Sequence, residues 1–135
     1  MGREGTCVDT NAKEVPQDKT LEQIGQALRE LGGFARDHGL VIRLEVHGTG
    51  TAFPPNIRKI LDVADHPNVG ACWNSNASDL AGQGWDYNFD LLKGKIFSVH
   101  MTDLFQEDYP YRKLLRRLNE ISFKGFCLAE IPPSA

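Results

Sequence analysis

At positions 40–46 the chain reads Leu40-Val41-Ile42-Arg43-Leu44-Glu45-Val46, an apolar run with β-branched residues between Gly39 and Gly48. A short apolar run bordered by glycines predicts a β-strand. The preceding segment predicts a helix, because Thr20 and Gln23 have the spacing of a capping box and Gly39 supplies a stop. The apolar residues expected on one face of this helix are Leu21, Ile24, Leu28, Leu31 and Ala35.

The same order of helix and strand repeats three more times toward the C-terminus. Pro54-Pro55 opens the second helix, and the pair His66-Pro67 closes it. Later helices are predicted around 89–92 and over 111–121, and further strands over 69–73, 96–101 and 126–131. Strands that are joined through helices run parallel, because each crossover returns the chain to the same end of the sheet. The sequence therefore predicts an α/β domain with about four parallel strands alternating with helices.

Length and composition narrow the class of protein. At about 100–200 residues per domain, 135 residues correspond to one domain. The polar segment 1–18 predicts a flexible N-terminal arm without a signal peptide, which leaves 19–135 as the folded domain. The net charge of -3 argues against a nucleic-acid partner, and no apolar run approaches the ~20 residues of a membrane span. Three cysteines without a CxxC pair fit a reducing cytoplasm.

A polar residue lies at or near the C-terminal end of each predicted strand: Glu45, Asn74, His100 and Glu130. Functional groups of parallel α/β sheets and barrels collect at that edge, so we expect these four side chains to meet. Two carboxylates, an imidazole and an amide oxygen suit a divalent ion such as Mn²⁺, Mg²⁺ or Co²⁺, with Zn²⁺ as an alternative. The competing interpretation is that hydrogen bonds or solvent satisfy each residue separately.

Three further residues are candidates for substrate binding. His47 follows Glu45 closely and either contacts a ligand or is solvated. Trp73 either stacks on a sugar or packs in the core. Asp103, three residues after His100, either orients the histidine ring or belongs to a turn.

Several of these residues lie within short motifs that follow one another in a particular order and spacing. The motifs are Leu44-Glu45-Val46-His47-Gly48, His66-Pro67-Asn68-Val69-Gly70 leading to Trp73-Asn74, Val99-His100-Met101-Thr102-Asp103, and Lys124-Gly125 before Ala129-Glu130. Over about residues 20–135 they resemble the sugar phosphate isomerase/epimerase family, the xylose isomerase-like TIM barrels.

The resemblance implies a metal site and a reaction. In the family, Glu, Asp, His and Glu from successive strands hold a divalent metal, and these correspond by position to Glu45, Asn74, His100 and Glu130. The family reaction moves a proton between adjacent carbons of a keto sugar or polyol through an enediolate. By the resemblance, Glu45 and Glu130 would act as base and acid on opposite faces.

The sequence departs from the family pattern at three positions. Asn74 stands where an aspartate is usual, which removes one negative charge and should weaken metal binding. Ala77 stands where the epimerases tend to carry a histidine, and Gln106 where they often carry an arginine. Because both residues bear on substrate contacts, the family's known substrates are not carried over to this chain.

The chain is also short for the family. A full barrel has eight strands in ~250 residues, so the resemblance implies the second half of a TIM barrel. We expect either a truncated product, or a second copy or an N-terminal half on another chain that completes the wall. The alternative to an isomerase is a catalytically inactive half-barrel that binds a metal or a sugar. A zinc-dependent abasic-site endonuclease is disfavoured by the net charge of -3 and the presence of only four histidines.

Overall fold

The computed structural model describes residues 6–8, 14–105 and 107–131, and shows strands and helices that alternate along most of the chain. The strands are β1 (Thr6–Val8), β2 (Glu14–Pro16), β3 (Ile42–Glu45), β4 (Val69–Trp73), β5 (Ile96–Met101) and β6 (Phe126–Ala129). The helices are α1 (Gln17–Asp37), α2 (Pro54–Ala64), α3 (Trp85–Leu92) and α4 (Tyr111–Glu120), with a 3₁₀ turn at Ala77–Leu80. Gln106, a position that the sequence singled out, lies outside the described residues.

The central sheet contains four parallel strands in the order β3-β4-β5-β6. Neighbours in the sheet are also neighbours in the sequence, so every crossover goes to the adjacent strand. The register places Glu45 opposite Cys72, and Met101 opposite Ala129. The predicted α/β domain with four parallel strands is confirmed.

The core lies between this sheet and its helices. Its largest fully buried side chains include Trp73, Phe89, Ile57, Ile60 and Leu92. None of the helices in the described part of the chain is long and apolar enough to cross a membrane.

Two glycines allow α1 to lie against α2 and the start of β4. A Cβ atom on Gly25 would come within 2.5 Å of Val63, and one on Gly32 within 2.7 Å of His66. This face of α1 was only partly predicted, since Leu31, which was expected on it, is 50% exposed. The spacing of apolar residues did not predict the close contact between α1 and α2, because the glycines that allow it have no apolar side chain.

The start of α1 also differs from the prediction. The helix was expected from Thr20, after an arm over 1–18, and it begins at Gln17; within the described residues of that segment, β1 and β2 pair antiparallel. Thr20 is therefore not the N-cap. Its hydroxyl donates to the Pro16 carbonyl at 3.3 Å from inside the first turn. The predicted stop is confirmed, because Gly39 adopts a φ of 68°, which glycine tolerates and other residues rarely adopt.

Candidate metal centre

The four polar residues of the strand ends lie at one edge of the sheet. Glu45 is the last residue of β3, and His100 is the penultimate residue of β5. Asn74 and Glu130 come directly after β4 and β6. The backbone N–H of Glu130 donates to the Met101 carbonyl at 2.7 Å, which extends the pairing of β5 and β6 to the glutamate.

The other three side chains converge on the His100 ring. Its Nδ1 atom lies 3.2 Å from Asn74 Oδ1, 3.6 Å from Glu45 Oε1 and 3.4 Å from Glu130 Oε2. One ligand atom from each of Glu45, His100 and Glu130 lies within 4.8 Å of the other two. The structure thus brings together the residues that the sequence named as metal ligands.

These distances fit a shared divalent ion. For ligand bonds of about 2.1 Å, neighbouring ligand atoms are about 3.0 Å apart in an octahedral site and about 3.4 Å apart in a tetrahedral one. Two carboxylates also supply the charge that a dipositive ion requires. The side chains of Glu45 and Glu130 are 43% and 56% exposed, while Asn74 is buried, so the site is open to solvent on the carboxylate side.

An open depression of about 450 Å³ adjoins the cluster. The residues that line it include His47, Asn74, Asn76, Thr102 and Glu130. A volume of this size lies within the range of small-molecule sites, about 300–1,000 Å³. His47 lines this depression, and its role as a substrate contact stays a prediction.

The two other predicted substrate contacts lie elsewhere. Trp73 is fully buried, and its indole N–H donates to the Tyr109 hydroxyl at 2.8 Å, so it packs in the core, as the alternative interpretation held. Asp103 is exposed, and its carboxylate accepts the backbone N–H of Phe105 at 2.9 Å. This contact fits the interpretation of Asp103 as a turn residue.

A buried hydrogen-bond network lies behind the cluster, and sequence reasoning missed it. The Tyr109 hydroxyl donates to Asp79 Oδ2 at 2.6 Å and accepts the indole N–H groups of Trp73 and Trp85. The backbone N–H of Asn76 donates to the same carboxylate oxygen at 2.9 Å. Burial raises the pKa of Asp79 to about 6, although the bond from Tyr109 opposes the rise. Burial, followed by the charge of Asp79, raises the pKa of Tyr109 as well.

Part of this network had a local signal in the sequence. Asn76 and Asp79 are three residues apart and form a capping box at the 3₁₀ turn, a pattern that the spacing alone could have suggested. Tyr109 had no such signal, because its partner Asp79 is 30 residues away.

A parallel α/β sheet with acids, an imidazole and an amide at the C-terminal ends of its strands is typical of barrel enzymes. The family model of the xylose isomerase-like TIM barrel matches residues 5–135. The chain belongs to this family, and the resemblance that the motifs indicated is confirmed.

Solved structures show the same fold. The apo form of 3-keto-D-glucoside 4-epimerase, YcjR, from E. coli is similar with a TM-score of 0.72 at 16% identity, over 87% of this chain and 49% of that one. A D-allulose 3-epimerase from Methylomonas sp. is similar with a TM-score of 0.67 at 18% identity, over 78% of this chain and 40% of that one.

The chain thus spans less than half of the length of each of these two epimerases. The prediction of a partial TIM barrel is confirmed. Among curated proteins, none matches the chain significantly.

Proposed function

We propose that this domain is a divalent-metal-dependent sugar isomerase or epimerase. In this proposal it moves a proton between adjacent carbons of a keto sugar, a sugar phosphate or a related polyol. The observation that carries the proposal is the convergence of two carboxylates and an amide oxygen on one imidazole nitrogen, at 3.2–3.6 Å. The family match and the two epimerases of similar fold support the substrate class.

The ligands in this proposal are Glu45, Asn74, His100 and Glu130. Their oxygen and nitrogen donors suit Mn²⁺, Mg²⁺ or Co²⁺, and Zn²⁺ as the alternative. When bound, the ion polarises the carbonyl and hydroxyl oxygens of the sugar and so stabilises the negative charge that develops on them.

The two glutamates are the proposed proton carriers. Glu45 extends from β3 and Glu130 from the end of β6, the two outer strands, and each places a carboxylate oxygen within 3.6 Å of His100 Nδ1. One glutamate, as the carboxylate, removes a proton from carbon and forms the enediolate. The other glutamate, as the protonated acid, returns a proton to carbon. Return on the opposite face inverts the carbon centre, which is epimerisation.

The sheet edges suggest that the active form contains more strands. Within the described residues, β3 and β6 each pair on one side only. Phe126 and Leu128 of β6 are 66% and 45% exposed, and strands of a further half-barrel next to β6 would cover these two apolar side chains. We propose that a second copy, or a first half-barrel on another segment or chain, supplies it. Light scattering of the purified chain distinguishes a dimer from a monomer that needs another partner.

The proposed activity is tested by proton exchange. With Mn²⁺ in D₂O, we expect the protein to incorporate deuterium next to the carbonyl of at least one ketose, measured by proton NMR. Glu45→Gln and Glu130→Gln should each abolish exchange, whereas Glu30→Gln, on the exposed side of α1, should not. Metal binding without exchange into any ketose would instead indicate a non-catalytic binding module.

A further inference from the structure

The carboxamide of Asn74 has two chemically different ends, and only one can bind a cation. Its oxygen lies 3.2 Å from His100 Nδ1, on the side of the two glutamates, and its nitrogen faces away. An aspartate at this position would have two equivalent oxygens. With asparagine, a half-turn of the side chain would direct an NH₂ group at the ion, so the orientation of the amide matters.

The first group that fixes this orientation is His47. The Asn74 amide nitrogen donates to His47 Nδ1 at 3.2 Å. An amide NH₂ only donates, so His47 Nδ1 accepts and the ring proton lies on Nε2. The backbone of His47 is itself held, because its N–H donates to the Glu45 carbonyl at 2.9 Å and its carbonyl accepts the Thr51 hydroxyl.

The second group is Asn76. Its amide nitrogen donates to the Val46 carbonyl, which turns its oxygen toward the amide nitrogen of Asn74 at 3.5 Å. If the Asn74 amide were reversed, two carbonyl oxygens would face each other. Asp79 holds the Asn76 backbone in place through the bond to its N–H.

We infer that His47 and Asn76 are positioning residues that hold the Asn74 carboxamide with its oxygen toward His100. The inference rests on the proposed metal site and adds to it two residues that do not touch the ion. It also changes the role of His47 from the predicted substrate contact to a hydrogen-bond acceptor for a metal ligand. Removal of such a partner typically weakens metal binding by about 10–100-fold.

The test is a double-mutant cycle on Mn²⁺ affinity, measured by titration calorimetry. We expect His47→Ala to weaken binding at least tenfold, and His47→Asn, which keeps an acceptor near the position of Nδ1, to restore most of it. In an Asn74→Asp background, His47→Ala should lower the Mn²⁺ affinity less than threefold. The two oxygens of a carboxylate are equivalent, so either one can face the ion. His38→Ala, an exposed histidine with no contact to the site, is the matched control.

The outcomes separate the two proposals. If the wild-type protein takes up no Mn²⁺, the proposed function fails. If it binds Mn²⁺ but His47→Ala binds equally well, or loses the same factor in both backgrounds, only the positioning role is overturned. Both His47 variants should fold, because the side chain is exposed, and their melting temperatures check this.

A second measurement needs no metal at all. Long-range ¹H–¹⁵N spectra of the protein at mildly alkaline pH distinguish the two neutral tautomers of His47. We expect the proton on Nε2 in the wild-type protein, and a shift toward a tautomer mixture in Asn76→Ala. A proton on Nδ1 in the wild-type protein would overturn the inference, whatever the calorimetry gives.

Discussion

Asp79 should make the stability of this domain depend on pH in a specific direction. The carboxyl group is fully buried, and burial raises its pKa from the usual 3.8 to about 6. A raised pKa means that the folded state disfavours the ionised carboxylate. The group therefore leaves the free energy of unfolding unchanged below about pH 4, and it lowers that free energy increasingly as the pH rises through 6. Since a tenfold change in an acid constant is worth about 1.4 kcal/mol, the full cost above pH 7 is about 3 kcal/mol.

The perturbation that isolates this effect is Asp79→Asn, which keeps the shape and removes the charge. The amide makes different hydrogen bonds, but that contribution does not depend on pH. We therefore expect the free energy of unfolding of the variant, relative to wild type, to rise by about 3 kcal/mol between pH 4 and pH 8, mostly between 4 and 6.

The assay is urea unfolding across this pH range, followed by tryptophan fluorescence, which reports on Trp73 and Trp85 beside Tyr109. Asp37→Asn is the control, because that carboxylate is exposed at the end of α1. A difference between variant and wild type that stays constant from pH 4 to pH 8 would refute the reasoning.

Three further predictions concern packing, the buried network and the ligand set. Gly32→Ala should destabilise the domain by at least 2 kcal/mol in urea unfolding, because the new Cβ would meet neighbouring atoms at 2.7 Å. Gly33→Ala, with open space around it, should instead stabilise the helix by up to about 1 kcal/mol, and equal effects at the two sites would contradict the packing. Tyr109→Phe removes a hydroxyl that serves three buried partners and should cost about 3 kcal/mol; a loss below 1 kcal/mol would be inconsistent with that network. Asn74→Asp adds a negative charge to the ligand set and should raise Mn²⁺ affinity at least tenfold in calorimetry, whereas an unchanged affinity would argue that this side chain is not a ligand.

The order of elements was predictable because its signals are local. A short apolar run predicts the strand β5, and the glycine at position 39 predicts the end of α1. Each signal lies within a few residues of the element that it predicts. The helix face was predicted less well, since α1 approaches α2 through Gly25 and Gly32, which carry no apolar signal. The start of α1 was misplaced because a capping pattern at Thr20 occurs inside the helix rather than at its end.

The candidate site was predictable to the extent that it follows from topology. Parallel strands carry their C-terminal residues to one edge, so Glu45, His100 and Glu130 could be expected to meet before any distance was known. The supporting contacts could not be expected in the same way. The bond between Tyr109 and Asp79 joins residues 30 apart, and it depends on how two loops pack rather than on strand order.

The most direct test of the metal site is calorimetric titration of the purified protein with Mn²⁺ near neutral pH. The proposal predicts one ion per chain and loss of that binding in His100→Ala, since His100 Nδ1 lies within 3.6 Å of an oxygen atom of each of the other three ligands. No uptake by the wild-type chain, or equal uptake by the variant, would contradict the proposed metal centre.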